Sequence, residues 1–367
     1  MPRLRKGVTT GLCAAAAAKA ATLALISGQA VDQVEVWAKT GEAKQLAVAS
    51  TECIDLAVRC GVVKDAGDDP DVTNGMTVFA TVSYSSQGGI SIDGGEGVGR
   101  ITKPGLKVAV GQAAINPVPR QMIDTAVAEA AESLSYHIGS DRGLAVVISL
   151  PGGEEVAKRT MNARLGVIGG LSILGTTGIV EPMSEQALID TIKAEIDVQL
   201  ASGQPGLLLM PGNYGRDFAR DRLGLDTAEA IRYSNYIGEA IDYLVDRQAP
   251  PITLVGHAGK LVKLAGGIMN THSRYGDCRM EIITAHAALA GADKSLAEAL
   301  MAAVTTEAAI ELLIAAGLNQ AVWASIGQRI AYHLQERSRH QLSISFTVFT
   351  QEHGVLVQGQ IDREGAT

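Results

Sequence analysis

The sequence predicts an α/β protein of two domains, the second of which contains a doubly wound parallel sheet. The chain has 367 residues, more than one compact domain usually contains. Apolar residues make up 47% of the chain but aromatic residues only 4%, so the core must be mostly aliphatic. In the second half, strand, turn and helix patterns follow one another repeatedly, which is typical of parallel sheets.

The first half begins with a helix and continues with strands. Thr9 or Thr10 can cap the helix, the run CAAAAAKAATLALIS (13–27) continues it, and Gly28 ends it. Alternating apolar and polar residues predict half-exposed strands, whereas one continuous apolar run predicts a strand covered on both faces. The alternating strands are 31–38, 44–50 and 76–85, the continuous run is 143–150, and a helix runs from near Pro117 or Pro119 to about His137.

The second half repeats strand, turn and helix and ends in two strands. Strands are predicted at 206–210, 252–256, 342–350 and 354–360, and helices at 184–202, 231–247, 278–290, 294–302, 304–317 and 319–337. The rhythm changes within about 140–200. We therefore take 1–150 as the first domain and 151–340 as the second, with the strands at 342–360 free to rejoin the first.

Charge and composition exclude several classes of protein. A net charge of −8 argues against a nucleic-acid partner, which would require a basic face. No apolar run of about 18 residues is free of charge, so the sequence predicts no membrane span. No C-x-x-C pair occurs, which favours reduced thiols in a cytoplasmic protein over zinc or disulfide chemistry. The cysteines are Cys13, Cys53, Cys60 and Cys278.

Three glycine-rich turns are candidates for ligand binding. GTTG (175–178) follows the apolar run at 171–174, and PGNYG (211–215) and GHAGK (256–260) each follow a predicted parallel strand. Such turns can direct amides and hydroxyls at a carboxylate, phosphate or ribose, but each is also consistent with a purely structural turn. The candidate residues are Gly175, Thr176, Thr177, Gly178, Gly212, Asn213, Gly215, Gly256 and Lys260.

Familiar nucleotide and metal motifs fail on spacing. GHAGK lacks the glycine spacing of a P-loop, and Leu261 stands where a hydroxyl residue should follow Lys260. GGEGVG (94–99) misses G-x-G-x-x-G because its third glycine would fall at Arg100. GDDPDVTNG (67–75) lacks the glycine and glutamate of a calcium loop. No histidine pair has metal-ligand spacing, so we expect no protein metal site.

His257 and His272 lie beside turns and close to Lys260, Lys263 and Arg274. A lone histidine is usually a hydrogen-bonded structural residue. Two of them near cations could instead serve an acidic ligand, and either could act as a general base.

The chain resembles the CbiD family of corrin biosynthesis along most of its length. The blocks that carry this resemblance occur in family order, and together they are far more specific than any one of them. They are KGVTTGLCAAAAAKAA (6–21), GDDPDVTNG (67–75), GGEGVGRITKPG (94–105), AAINPVPRQMI (113–123), TMNARLGVIGGLSILGTTGIVEPMS (160–184), PGNYG (211–215), LVGHAGKLVKLAGGIMNTHS (254–273) and TTEAA (305–309).

The resemblance implies an α+β first domain and a Rossmann-like second domain. It implies methyl transfer from S-adenosylmethionine to C1 of cobalt-precorrin-5B, a tetrapyrrole, giving cobalt-precorrin-6A on the anaerobic cobalamin route. Cobalt then belongs to the substrate. We expect the donor at the three turns and His257 or His272 as the base, if one is needed. The macrocycle would lie over residues from two further segments, namely Gly94, Glu96, Gly97, Lys103, Asn116 and Arg120.

Two alternatives stay open at this point. A nucleotide-binding or phosphoryl-transfer enzyme could use GHAGK, and a non-catalytic corrinoid carrier would bind tetrapyrroles but no methyl donor. The sequence is also compatible with a homo-oligomer and with transient contacts to neighbouring enzymes of the pathway.

Overall fold

The structure, a computed structural model, describes residues 4–365. Its contacts divide the chain between Glu185 and Gln186 into two compact units. Each unit has its own large hydrophobic core, the first built on Ala-rich helix α1 (Thr10–Ser27) and the second on a largely parallel sheet.

The first unit is an α+β arrangement around a five-stranded mixed sheet. Its further elements are β1 (Gly7–Val8), β2 (Gln33–Trp37), β3 (Ala43–Ala47), β4 (Ser50–Ile54), β5 (Ala57–Val63), β6 (Thr77–Ser85), β7 (Ile90–Gly94), β8 (Arg100–Ile101), α2 (Pro117–Ser133), β9 (Gly143–Ser149), α3 (Gly153–Ala157), β10 (Val167–Ile168) and β11 (Ile179–Val180). The sheet has the order β4-β5-β6-β9-β7, in which only the β7–β9 pair is parallel. Strands β2 and β3 form a separate antiparallel hairpin.

Helix α1 begins and ends as the sequence predicts. The Thr9 hydroxyl accepts a hydrogen bond from the Leu12 amide, and Gly28 closes the helix with φ of 72°. Its small side chains allow close approach to α2, β5 and β6. By length and composition α1 is, among the described residues, the one helix that could cross a membrane, but most of it is buried in this unit.

The strand predictions in this unit need correction, because β9 is exposed on one face and β4, β5 and β7 were not predicted. Strand β9 was expected to be covered on both faces, yet Val147 is 38% exposed while Leu144, Val146 and Ile148 are buried. One face of the sheet therefore carries the core and the other reaches solvent. Strand β5, buried between β4 and β6, was not predicted, because AVRCGVV has no clear alternation of polar and apolar residues.

The first unit extends beyond the predicted boundary at 150. Residues 151–185 belong to it because their short strands pair backwards: β10 with β8, and β11 with β1. Isolated bridges from Val98 to Leu171 and from Ile115 to Ile173 add to these ties. The boundary at 150 was therefore wrong, because pairings this short leave no periodic pattern in the sequence.

The second unit is built on a five-stranded sheet of order β13-β12-β14-β15-β16. Its elements are α4 (Glu185–Ala201), β12 (Leu207–Met210), a 3₁₀ turn (Asn213–Gly215), α5 (Arg216–Leu223), β13 (Ile231–Arg232), α6 (Ile237–Asp246), β14 (Ile252–His257), α7 (Ala258–Leu261), a 3₁₀ turn (Val262–Gly266), α8 (Arg279–Leu289), α9 (Lys294–Ala302), α10 (Thr306–Ala315), α11 (Asn319–Arg337), β15 (Ile344–Thr350) and β16 (Gly354–Ile361). The first four strands are parallel and β16 is antiparallel.

Two further predictions differ from the structure. Strands β15 and β16 do not rejoin the first domain, since β15 pairs with β14 from Ile344 to Phe349 and extends the second sheet. The predicted helix at 231–247 begins instead as strand β13, and helix α6 starts only at Ile237. Ile231 pairs beside Leu209, and Ser234 with φ of 55° turns the chain before the helix.

Candidate functional site

A cleft of about 330 Å³ lies at the carboxyl ends of β12 and β14 in the second unit. Pro211 and Gly212 follow β12, and His257 ends β14. Strand β12 lies between β13 and β14 in the sheet, so the chain leaves β12 to one side to form β13 and later crosses to the other side to form β14. Connections that leave neighbouring parallel strands in opposite directions open a crevice there, which is the usual ligand position in doubly wound sheets.

The structure brings together two of the three predicted turns. Of the predicted donor residues, Gly212, Asn213, Gly215 and Lys260 line the cleft, and so does His257. Gly256 directly precedes His257 in β14, and a side chain at Gly256 would clash with Leu261 at 2.7 Å. The third turn, GTTG, belongs to the first unit.

His257 has a defined hydrogen-bonding role in this cleft. It is the N-cap of α7, and its Nδ1 accepts a hydrogen bond of 3.2 Å from the Gly259 amide. Its Nε2 lies 3.2 Å from Glu307 Oε1. Burial lowers the pKa of His257 and the Glu307 carboxylate opposes this shift, with a net lowering. The geometry therefore fits a neutral ring that carries its hydrogen on Nε2, with the Nδ1 lone pair already in use.

Lys260 presents an ammonium group beside neutral acceptors. Its Nζ donates to Ser234 O at 3.1 Å and to Asn235 Oδ1 at 2.8 Å. Burial, followed by the charge of Lys263, lowers the pKa of Lys260. Since an ammonium group has three hydrogens, the third can meet an anionic or polar ligand atom in the cleft.

A buried lysine organises the loop that precedes α8. Lys263 is 3% exposed, and its Nζ donates to the carbonyl oxygens of Thr271 and Gly276, both at 3.0 Å. In the same loop Asp277 accepts two hydrogen bonds from Arg279, through Nε at 2.5 Å and Nη2 at 2.9 Å. Arg279 is thereby held at the cleft, which it lines.

His272 lies in this loop but does not line the cleft. Its side chain is exposed, and its Nδ1 accepts a hydrogen bond of 3.1 Å from the Arg274 amide. The structure therefore separates the two histidines that the sequence proposed as alternative bases.

Three residues of the cleft were not predicted as site residues, although two of them lie in the TTEAA block (305–309): Arg279, Thr306 and Glu307. Thr306 and Glu307 form the first turn of α10, which Thr305 caps by accepting a hydrogen bond of 3.1 Å from the Ala308 amide. The available signal was a threonine cap with an acid in the first turn ahead of an apolar helix. That signal locates a helix start but cannot tell which strand ends the helix will face.

The GTTG turn fastens the start of α1 in the first unit. The Gly178 carbonyl accepts from the Thr9 amide at 3.0 Å, and a side chain at Gly175 would stand 2.3 Å from the Thr9 hydroxyl. Thr176 and Thr177 are both exposed, and the Thr177 hydroxyl donates to Ile179 O at 2.8 Å. The turn thus has a local structural role, and a contact with the donor stays a prediction.

The residues predicted to face the macrocycle also belong to the first unit. Arg120 Nη1 donates to Ile92 O at 2.7 Å, and Asn116 is the N-cap of α2 without a side-chain capping bond. Glu96 is exposed, and the stem of Lys103 packs on Gly166. Both predicted glycines are tightly enclosed: a side chain at Gly97 would reach Leu150 O at 1.8 Å, and one at Gly94 would reach Val98 at 2.7 Å.

Comparison with known proteins covers both units. A family model described as CbiD matches residues 1–182, and one described as CbiD, C-terminal domain, matches residues 270–360. A protein of Ruminiclostridium cellulolyticum is 49% identical over 348 residues, which are 95% of this chain and 89% of that protein. The chain belongs to the CbiD family.

Further CbiD relatives agree. Proteins of Alkaliphilus metalliredigens and Moorella thermoacetica are 42% and 41% identical, covering 96% and 99% of this chain and 92% and 97% of their own length. All three relatives carry the name cobalt-precorrin-5B C(1)-methyltransferase. A crystal structure of a cobalamin biosynthesis protein (cbiD) from Archaeoglobus fulgidus is 30% identical, covering 72% of this chain and 80% of that one with a TM-score of 0.39.

The cleft of this CbiD protein is drawn from two parts of the chain. Arg279, Thr306 and Glu307 lie in the range of the C-terminal family model. Gly212 and Lys260 lie between the two matched ranges. The turns after the strands and the helical segment thus contribute separate walls of one site.

Proposed function

We propose that this protein transfers the methyl group of S-adenosylmethionine to C1 of cobalt-precorrin-5B and so forms cobalt-precorrin-6A. The observation that carries the proposal is identity of 41–49% over more than nine-tenths of the chain to proteins named for this reaction. As a step of anaerobic cobalamin biosynthesis, it is expected in the cytoplasm.

The donor site, in this proposal, is the cleft of the second unit, used in the manner of a Rossmann-like domain. Its position where the strand order reverses supports this, as does the strand order 2-1-3-4-5 with four parallel strands. A volume of about 330 Å³ lies within the range of small-molecule pockets, about 300–1,000 Å³. Gly212 has open space above its Cα, so a ligand can approach the backbone there.

Gly212, Gly215 and Lys260 would hold the donor through close backbone approach and one ammonium group. Bound there, S-adenosylmethionine supplies a methyl group already activated on a sulfonium. The protein then has to align the reacting atoms and exclude water, and positioning of this kind can lower a barrier by about 7–11 kcal/mol. His257 orients the turn that carries Lys260, since it caps α7.

The macrocycle, we propose, binds the first unit over residues 94–103 and 116–120. Its acid side chains call for several cations in a local rim, because each exposed ion pair contributes only about 0–1 kcal/mol. Such a rim would also have to offset the net charge of −8, which repels an anionic substrate at long range. Cobalt enters as part of the substrate.

Two measurements test this function. Anaerobic incubation with cobalt-precorrin-5B and methyl-labelled donor should add one methyl group to the tetrapyrrole by mass. Calorimetry should show donor binding that Lys260→Met weakens, whereas Lys294→Met, an exposed lysine of the same unit, should leave it unchanged. A tetrapyrrole that gains no methyl group would overturn the proposed reaction. Equal donor affinity in the two variants would overturn the proposed site.

A further inference from the structure

The cleft is lined by a buried hydroxyl group that lacks a hydrogen-bond partner among the described residues. Thr306 lines the cleft and is 1% exposed, and no described residue hydrogen-bonds to its Oγ1. Buried hydroxyls are nearly always paired, and leaving one unpaired costs free energy. A bound ligand atom that hydrogen-bonds to Thr306 would remove this cost.

Polar atoms of three segments converge beside this hydroxyl. The position that a Cβ would occupy on Gly259 lies 3.5 Å from Thr306 Oγ1 and 3.9 Å from Arg279 Nη1. The hydrogen bonds of Arg279 to Asp277 use Nε and Nη2. The remaining nitrogen, Nη1, lies next to Gly259 at the cleft and can donate to a ligand there.

The first turn of α10 adds further donors. Helix α10 has ten residues, and its bonds to the cap begin with the Ala308 and Ala309 amides, so the Thr306 and Glu307 amides precede the hydrogen-bonded turn. Amides at a helix start attract negative charge. Together with Thr306 Oγ1 and Arg279 Nη1, they form a setting for a carboxylate.

A negative charge stands immediately beside this positive setting. Glu307 lines the same cleft, and its Oε1 lies 3.2 Å from Nε2 of His257, a ring whose pKa is lowered by burial. A ligand with only negative charge would be repelled by Glu307. A ligand with an ammonium group next to its carboxylate would satisfy both signs.

We propose that the start of α10 forms a subsite for the amino-acid end of the methyl donor, in which Thr306 and Arg279 bind its carboxylate and Glu307 its ammonium group. This subsite rests on the proposed function and identifies which end of the donor the helix receives. Carboxylates also occur on the macrocycle, but those have no neighbouring ammonium group to pair with Glu307.

Two nucleosides separate the subsite from the rest of the donor site. S-adenosylhomocysteine carries the amino-acid end, and 5′-methylthioadenosine keeps the adenosine and thioether without it. Calorimetry on the full-length protein should show that S-adenosylhomocysteine binds more tightly than 5′-methylthioadenosine. Thr306→Val should weaken that binding about tenfold and leave 5′-methylthioadenosine unchanged, since one hydrogen bond to a charged group is lost.

Matched variants control for folding. Thr306→Ser keeps the hydroxyl and should bind S-adenosylhomocysteine with wild-type affinity. Thr22→Val makes the same change as Thr306→Val at a buried helical threonine of the first unit, and should leave the binding of both nucleosides unchanged. Glu307→Gln should weaken only S-adenosylhomocysteine. Equal effects of Thr306→Val on both nucleosides, or no effect on either, would overturn the subsite and leave the proposed function in place. Wild-type protein that binds neither nucleoside would overturn the donor site itself, and the subsite with it.

Discussion

His257 and Glu307 connect the end of β14 to the start of α10, with Nε2 of the imidazole 3.2 Å from Oε1 of the carboxylate. The other ring nitrogen accepts a hydrogen bond from the Gly259 amide. The pair therefore fixes both the tautomer of the ring and the turn that carries Lys260.

Removing the carboxylate should lower the pKa of His257 further. Burial lowers this pKa and Glu307 acts to raise it, so Glu307→Gln leaves burial unopposed. The ring titration of His257, followed by NMR, should move to lower pH in the variant. Because the pKa of His257 is lower in the folded state, this residue favours folding at pH values above the ordinary histidine pKa of about 6.5. The contribution is lost as the pH falls through the lowered pKa of the folded state. An upward shift in the variant would contradict this arrangement.

His257→Asn should preserve the fold and most of the activity. Asparagine is a good N-cap, so α7 and Lys260 should keep their places. Loss of a general base lowers the rate by about 10²–10⁴-fold, whereas we expect less than about tenfold from this variant. The rate of methyl transfer with saturating donor decides between the two. A larger loss with normal donor affinity would instead identify His257 as the base that the sequence suggests.

Gly97→Ala should destabilise the first unit strongly. Gly97 has φ of 71°, and an added Cβ would meet the Leu150 carbonyl oxygen at 1.8 Å. Gly152→Ala is the matched control, since Gly152 has φ of 79° but nothing within 4 Å of an added Cβ. The control should cost about 1–2 kcal/mol in free energy of unfolding, and Gly97→Ala at least about 2 kcal/mol more. Denaturant unfolding measures the difference, and similar costs would contradict the close contact.

The loop at 64–76 should make the first unit sensitive to acid. Lys64 is fully buried and ion-paired with Asp71. Burial acts to raise the pKa of Asp71, but hydrogen bonds from Lys64 and Thr73 outweigh it and lower the pKa. The stabilisation is therefore present above the ordinary carboxyl pKa and is lost as pH falls through the lowered one.

Asp71→Asn tests that loop directly. It leaves the buried ammonium group of Lys64 unpaired and should cost about 3–5 kcal/mol at neutral pH. The deficit should shrink in acid, where wild-type Asp71 is also neutral. Asp55→Asn, an exposed control in the same unit, should change the free energy of unfolding little. A deficit that does not depend on pH would contradict the ion pair.

The sequence predicts that GTTG contacts the donor, but its described hydrogen bonds lie within the first unit, so we expect it to matter for stability more than for the donor. In the double variant Thr176→Val/Thr177→Val, the bonds of the Thr177 hydroxyl to Ile179 are lost. We expect the first unit to lose about 0.5–1.5 kcal/mol and donor affinity measured by calorimetry to stay the same. Weaker donor binding in the folded variant would return this turn to the donor site.

Local signals carried much of the fold. The caps of α1, the alternation along β6 and the strand–turn–helix rhythm after 200 each depend on residues close together in the sequence. Those elements were confirmed, except that the helix predicted from 231 starts only at Ile237. Strand β5 was missed because its sequence shows no clear alternation of polar and apolar residues. The two-residue strands β1, β8, β10, β11 and β13 were missed because strands this short leave no periodic pattern.

The sequence by itself determined the family, the mixed α/β class and two of the turns that line the cleft. The turns could be predicted because their glycine-rich residues directly follow apolar runs that predict strands. Only the tertiary structure decided that residues 151–185 belong to the first unit and that β15 extends the second sheet. It also decided that Thr306 and Glu307 face the end of β14. The physical reason is that pairing between distant strands and the direction of a helix start depend on packing of the whole unit, which no local spacing of residues encodes.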